Sequence, residues 1–270
     1  VENTRAFPVL FIDNDIRDVD LNDYEPDKSD KISFYRTELE MIDRIGEHIE
    51  WGQVCKRVPV ICAYNLMFDL HPLMEGLYAR YDIKANAQSS TNVYTVDLHD
   101  RETDALLLRF WDTFHLEMRG LAAMGRTCGL AKANGDWDYS LVRHQNTELT
   151  EMERFYASRD VQVIPAYLRY LLKANEWLKQ EDFGFRVLTK TSIVRQMAKR
   201  TIGPKKIREK EDGKCLTLMK AFTSLCKEEL PRSYASYALR KAAFRGGYTF
   251  TSASTSMRVV RNVASVDVTS

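Results

Sequence analysis

The stretch Val58–Leu73, VPVICAYNLMFDLHPL, constrains this chain more than any other. Val58, Val60, Ile61, Cys62 and Ala63 make a short, nearly continuous apolar run rich in β-branched residues, the pattern of a strand buried on both faces. Apolar residues at Leu70, Leu73, Met74 and Leu77 then recur at helical spacing. Between the two stands Asn65-Leu66-Met67-Phe68-Asp69. A carboxylate where a strand gives way to a helix, beside an amide and an aromatic ring, is costly to hold unless a cation or ligand compensates it. Taken alone, the segment is equally well an ordinary Asn/Asp helix cap.

The surrounding pattern is that of a layered α/β fold. Pro8–Ile12 reads as a strand, and Asp13–Asp30, with eight acidic residues among Asn, Pro and Ser, as a loop. Asp13 and Asp15 open with calcium-loop spacing, but the required glycine and final glutamate are missing at their offsets, which excludes that site. Leu39, Ile42, Ile45 and Ile49 mark an amphipathic helix within Phe34–Trp51. Asn92–Leu98 and Ala105–Trp111 alternate as two strands of a hairpin around the polar turn Asp100–Asp104. Helical periodicity follows over Leu116–Leu130, and the longest helical tract runs over Thr147–Leu178, with a loose capping pattern at Thr147, Thr150 and Glu151. Strands followed by helices interleaved with buried strands predict an α/β layer fold with a mixed sheet.

Charge divides the chain. Residues 1–186 carry 22 Lys+Arg against 32 Asp+Glu, whereas residues 187–245 carry 15 against 5. The split predicts two modules with a boundary near Glu181–Leu188, the second a set of basic helices (Thr189–Arg200, Leu216–Lys227, Arg232–Ala243) facing a polyanion. The five cysteines are odd in number and show no C-x-x-C spacing, so neither a disulfide framework nor a zinc site is indicated and a reducing, intracellular setting is expected. No stretch is long and apolar enough to span a membrane. Val1 is not a start methionine and Ser270 follows the strand-like run Val263–Val268, so the chain reads as a piece of a longer protein.

Within the long helical tract, Tyr156 and Asp160 are four apart and share a helical face beside Val161, Val163 and Ile164. Chance places such a pair on many amphipathic helices. A phenol beside a carboxylate that can face Asp69 is also what metal-assisted phosphodiester hydrolysis requires: carboxylates to hold two divalent ions and a hydroxyl to orient the attacking water. A third acid is needed, and Glu2, just before the first strand, is a candidate as the second acid of an Asp-x-Glu pair.

The order of four motifs, N-x-x-F-D at Asn65–Asp69, Y-x-x-x-D at Tyr156–Asp160, F-R-G-G-Y at Phe244–Tyr248 and V-D-V-T-S at Val266–Ser270, resembles the amino-terminal half of family B DNA polymerases, especially the protein-primed type of phages, linear plasmids and adenoviruses. The resemblance implies a 3′-to-5′ proofreading exonuclease domain of RNase H-like fold over residues 1–186, a basic helical connector over 187–243, and a linker motif with the start of a palm domain over 244–270. It implies Glu2, Asp69 and Asp160 as metal ligands for two Mg2+ ions, or Mn2+, with Tyr156 orienting the water. Asn65 and Phe68 would contact the 3′-terminal nucleotides, by an amide and by stacking, with Tyr64 as a further ligand. Thr113, in Trp111-Asp112-Thr113-Phe114, resembles the family's S/T-L motif for single-stranded primer, with Phe in place of Leu. Lys132 stands near the family's exonuclease lysine, but Gly135 replaces the hydrophobic residue of K-x-x-h. Phe244 replaces the linker tyrosine, while Arg245, Gly246 and Gly247 keep the charge and the close backbone approach to phosphate. Asp267 would be the first polymerase metal ligand.

The partners so implied are single-stranded and primer-template DNA, deoxynucleotides in the full-length enzyme and a priming terminal protein, with no membrane and the cytoplasm of a host cell as the setting. A free-standing DEDD-type exonuclease explains Asp69, Tyr156 and Asp160 but not the tail motifs. A nucleic-acid-binding remnant without catalysis is the rival of another class.

Overall fold

The structure, a computed structural model, describes residues 10–89, 92–131, 143–202, 206–209 and 215–217. Glu2, Lys132, Arg245, Gly246, Gly247 and Asp267, the two tail motifs and the expected helix Arg232–Ala243 lie outside the described residues. The chain divides into two compact units, Val1–Pro204 and Lys205–Ser270. In order, the first unit contains β1 (Phe11–Asn14), β2 (Ile32–Tyr35), α1 (Glu38–Cys55), β3 (Val60–Ala63), α2 (Leu66–Leu70), α3 (Met74–Arg80), β4 (Asp82–Ser89), β5 (Asn92–His99), β6 (Leu106–Asp112), α4 (Leu121–Cys128), α5 (Glu151–Ala174) and α6 (Lys190–Met197). In the second unit β7 (Lys206–Glu209) pairs antiparallel with β8 (Cys215–Thr217). Leu216 is therefore in a strand, where its apolar neighbours had suggested the start of a helix.

A four-stranded sheet in the order β3-β6-β5-β4 organises the first unit. β3 runs parallel to β6, while β6, β5 and β4 pair antiparallel, so the sheet is mixed. Alternation along the strands sends side chains to two cores. On β6, Leu108 and Phe110 join Ile42, Ile45, Leu70, Leu77 and Leu98 on the face covered by α1, α2 and α3. Trp111 points the other way and joins Met124, Val163, Tyr167 and Leu171 on the face covered by α4 and α5. β3 serves both: Ile61 and Ala63 pack on the first core, Val60 and Cys62 on the second. The strand is nonetheless half-buried, because it is the edge of this sheet among the described residues. β1 and β2 form a separate antiparallel pair that packs on α5 and α1.

The helix starts obey capping chemistry. Thr37 and Glu40 make a reciprocal capping box at α1, and Thr150 and Glu153 make one at α5, one turn later than the loose pattern at Thr147. Asp13 and Asp15 are held by Arg44 at 2.7 and 2.6 Å, and Asp13 also meets His48 Nε2 at 3.0 Å. These hydrogen bonds and charges hold the Asp13 carboxyl below its usual range against the burial that raises it.

The expected module boundary near Glu181–Leu188 falls inside the first unit. Phe183 stacks on Trp111, Val187 is fully buried, and the buried Asp182 binds Arg186 at 3.1 Å and Arg200 at 2.7 Å. A change in the sign of surface charge marks no break in packing, and the unit continues to Pro204.

Candidate functional site

The parallel pairing of β3 with β6 sets the site. In this register Ala63 lies opposite Asp112, so the carboxylate at the end of β6 sits beside the backbone leaving β3. Asp112, 6% exposed, accepts hydrogen bonds from the amides of Asn65 at 3.0 Å, Leu66 at 3.1 Å and Phe114 at 2.9 Å. It thereby caps α2 from a neighbouring strand, placing negative charge at a helix N-terminus. Asn65 occupies the N-cap position in the left-handed conformation, φ 66° and ψ 56°, with no capping bond from its own side chain. Asparagine tolerates that conformation better than a β-branched residue, and it lets the chain turn sharply from strand into helix.

One turn on, α2 presents Phe68, 79% exposed, and Asp69. Asp69 keeps solvent access, yet loss of hydration, with the nearby charge of Asp112 second, pushes its carboxyl up to about 6. Remaining solvent screens the repulsion, so its cost to folding is smaller than for a fully buried acid. The folded carboxyl holds its proton to about 6 whereas the ordinary value is 3.8. Its contribution to stability is therefore complete below the lower value and is lost as pH rises through the higher. Urea unfolding of the metal-chelated protein between pH 4 and 7 is expected to show this decline, and Asp69→Asn to flatten it; an unchanged slope would contradict the assignment.

Two expected DNA contacts are engaged within the protein. Thr113 is fully buried and donates its hydroxyl to the Ala63 carbonyl at 2.8 Å, closing the end of the β3–β6 pair. The expected primer contact is thus a buried hydroxyl bonded to the backbone in this structure. The Tyr64 hydroxyl donates to the Glu117 carbonyl at 3.0 Å, and its ring meets Phe114 edge-on at 5.6 Å. Burial, aided by the charges of Asp112 and Glu117, keeps this phenol's pKa above its usual value. Tyr64 therefore fixes the turn after β6.

Tyr156 and Asp160 lie on α5 one turn apart, and Asp160 shares the core-facing stripe with Val163, Ile164 and Tyr167. Two turns beyond Asp160, Tyr167 shares a core with Trp111 and Leu116, which flank Asp112 in the chain, so α5 passes the sheet end where Asp112 lies. α2 and α5 pack on opposite faces of the sheet. Asp69 and Asp160 can meet only around that end or the β3 edge. Among the described residues no group of three His, Cys, Asp or Glu side chains assembles into a metal site. The carboxylates of Asp69 and Asp160 are hard oxygen groups of the kind Mg2+ or Mn2+ takes.

No protein-family model and no curated protein sequence matches this chain. Its fold does match solved structures. Phi29 DNA polymerase complexed with primer-template DNA and incoming nucleotide substrates aligns with a TM-score of 0.51 and 15% identity, over 73% of this chain and 32% of that one. The same polymerase complexed with primer-template DNA aligns with a TM-score of 0.49 and 14% identity over 66% and 32%, and complexed with single-stranded DNA with 0.47 and 12% over 66% and 32%. The chain spans about a third of that polymerase's length. At this identity the likeness is one of fold: a mixed four-stranded sheet flanked by helices, of the RNase H-like kind, similar to that in phi29 DNA polymerase.

Proposed function

We propose that the chain carries a 3′-to-5′ exonuclease acting on single-stranded DNA ends and belongs to a family B DNA polymerase of the protein-primed type. The observation that carries the reading is the junction at the end of β3, where Asp112 fixes α2 so that Asp69, Asn65 and the exposed Phe68 stand together in a fold similar to that of a DNA polymerase. The motif order along the chain supports the same reading.

Asp69 and Asp160, with Glu2 as a third acid, would hold divalent ions. Such ions, when bound, supply charge neutralisation at the scissile phosphate and a nucleophile at neutral pH. The chain's own side chains position the reactants. The Phe68 ring offers a face to a terminal base, and the Asn65 amide can donate to a sugar or backbone oxygen. The Tyr156 hydroxyl would orient the attacking water toward the terminal phosphodiester, releasing a nucleoside monophosphate. Asp112 keeps these groups in register through three backbone bonds and is a positioning residue.

The polymerase part of the proposal, with Asp267 as a palm metal ligand and with primer-template DNA, deoxynucleotides and a priming terminal protein as partners, rests on the tail motifs. No described helix is long and apolar enough to cross a membrane. The test is a 5′-labelled single strand incubated with the chain and Mg2+. Ordered shortening from the 3′ end, stopped by chelation, is the expected outcome. Binding without cleavage would favour the non-catalytic nucleic-acid-binding module instead.

A further inference from the structure

α5 carries a second feature, on the solvent side of Tyr156. Met152, Phe155 and Arg159 are spaced i, i+3, i+7 and so form one stripe along the helix. Met152 is 54% exposed and Phe155 50% exposed. The Arg159 guanidinium lies over the Phe155 ring, 5.1 Å from its centroid. Among the described residues Arg159 has no carboxylate partner, although the first unit is rich in acids. Moving round the helix, this stripe borders Tyr156, which in turn borders Asp160 and the core. The ring is half open to water, the planar cation over it has no acid beside it among the described residues, and Phe155 adjoins Tyr156 in the chain.

We propose that Phe155 and Arg159 form a platform for single-stranded DNA, the ring stacking on a base and the guanidinium meeting the adjoining phosphate. The identity of the strand rests on the nuclease reading above. Charge complementarity favours a polyanion, and continuity with Tyr156 and Asp160 puts the platform where the strand behind a bound 3′ end must pass. Arginine stacked on an aromatic ring is suited to this because it contacts a base face and a phosphate without reading sequence. Phe68, on α2, would then hold the end of the strand, and Phe155 a nucleotide behind it.

The experiment is fluorescence anisotropy of labelled oligo(dT) and of a matched duplex with the whole chain in EDTA, so that nothing is cleaved. Phe155→Ala is expected to weaken single-strand binding by about tenfold, and Phe155→Tyr, which keeps the ring, to restore it. Arg159→Glu is expected to weaken it further, and Arg159→Ala to lower the salt dependence by the equivalent of about 0.7 in log-log slope. Phe155 being exposed and Arg159 half-buried, thermal unfolding of the variants reports whether folding is intact. Wild-type affinity in Phe155→Ala and Arg159→Glu would overturn the proposal, as would equal weakening of single strand and duplex. A platform that holds in a chain that never shortens DNA would leave it standing as a binding surface while the nuclease reading fails. Ordered shortening with unaffected Phe155 and Arg159 variants would do the reverse.

Discussion

Asp69→Ala is expected to lower the rate of Mg2+-dependent shortening of single-stranded DNA by on the order of a thousandfold, because loss of one carboxylate from a metal-assisted site removes several kcal/mol of transition-state stabilisation. The fold should tolerate the change. The side chain keeps solvent access, accepts none of the bonds that cap α2, and is disfavoured in its charged form by burial and by Asp112. The variant should unfold at the same or higher urea concentration than the wild type at pH 7, so lost activity and retained stability are expected together. Cleavage at the wild-type rate would remove Asp69 from the chemistry, and loss of stability would make it a structural residue.

Asp112→Ala should have the opposite profile, with its largest effect on stability. Three backbone amides would lose a charged acceptor at once, two of them at the start of α2, and the site is too enclosed for water to replace it readily. A cap and two further charge-assisted bonds together correspond to about 3 kcal/mol. For a unit of this size that is a fall in Tm of roughly 10 °C. Asp112→Asn, which keeps one acceptor oxygen, should recover part of the loss. Activity should fall as well in both, since Asn65, Phe68 and Asp69 take their positions from the same bonds. Calorimetry beside the cleavage assay separates the two residues: Asp69→Ala is stable and inactive, Asp112→Ala is unstable. Equal stability of Asp112→Ala and wild type would contradict the capping role.

The elements with strong apolar periodicity were legible in the sequence. The strand of Val60–Ala63, the hairpin of β5 and β6, the helix of Ile42, Ile45 and Ile49 and the long helix of Tyr156 and Asp160 each declare a period of two or 3.6. β4 was not read as a strand although Asp82–Ala87 alternates, because only Ile83 is a strong strand former and Asp, Lys, Asn and Ala are depleted in strands. β2 is short and half-buried, and its neighbours read as loop and helix.

At the site, Asp69 and Asn65 were marked by composition, but Asp112 was not, although it holds them in place. Its importance depends on which strand lies beside β3, and that parallel pairing joins residues 60–63 to 109–112 with no local signal. Thr113 shows the converse. A motif match suggested a primer contact; in the fold its hydroxyl follows β6 and bonds the Ala63 carbonyl. The Phe155–Arg159 pair carried no motif at all. Only the exposure of the ring and, among the described residues, the absence of an acid beside the guanidinium distinguish it from an ordinary helix surface.

The account depends on two acids from helices on opposite faces of one sheet sharing a cation at the sheet's end. Crystals soaked in Mn2+ and measured at the manganese absorption edge test this directly. An anomalous peak about 2.1 Å from oxygens of both Asp69 and Asp160 is the predicted result. A peak on one of them alone, or on neither while Mn2+ binds elsewhere, would contradict it.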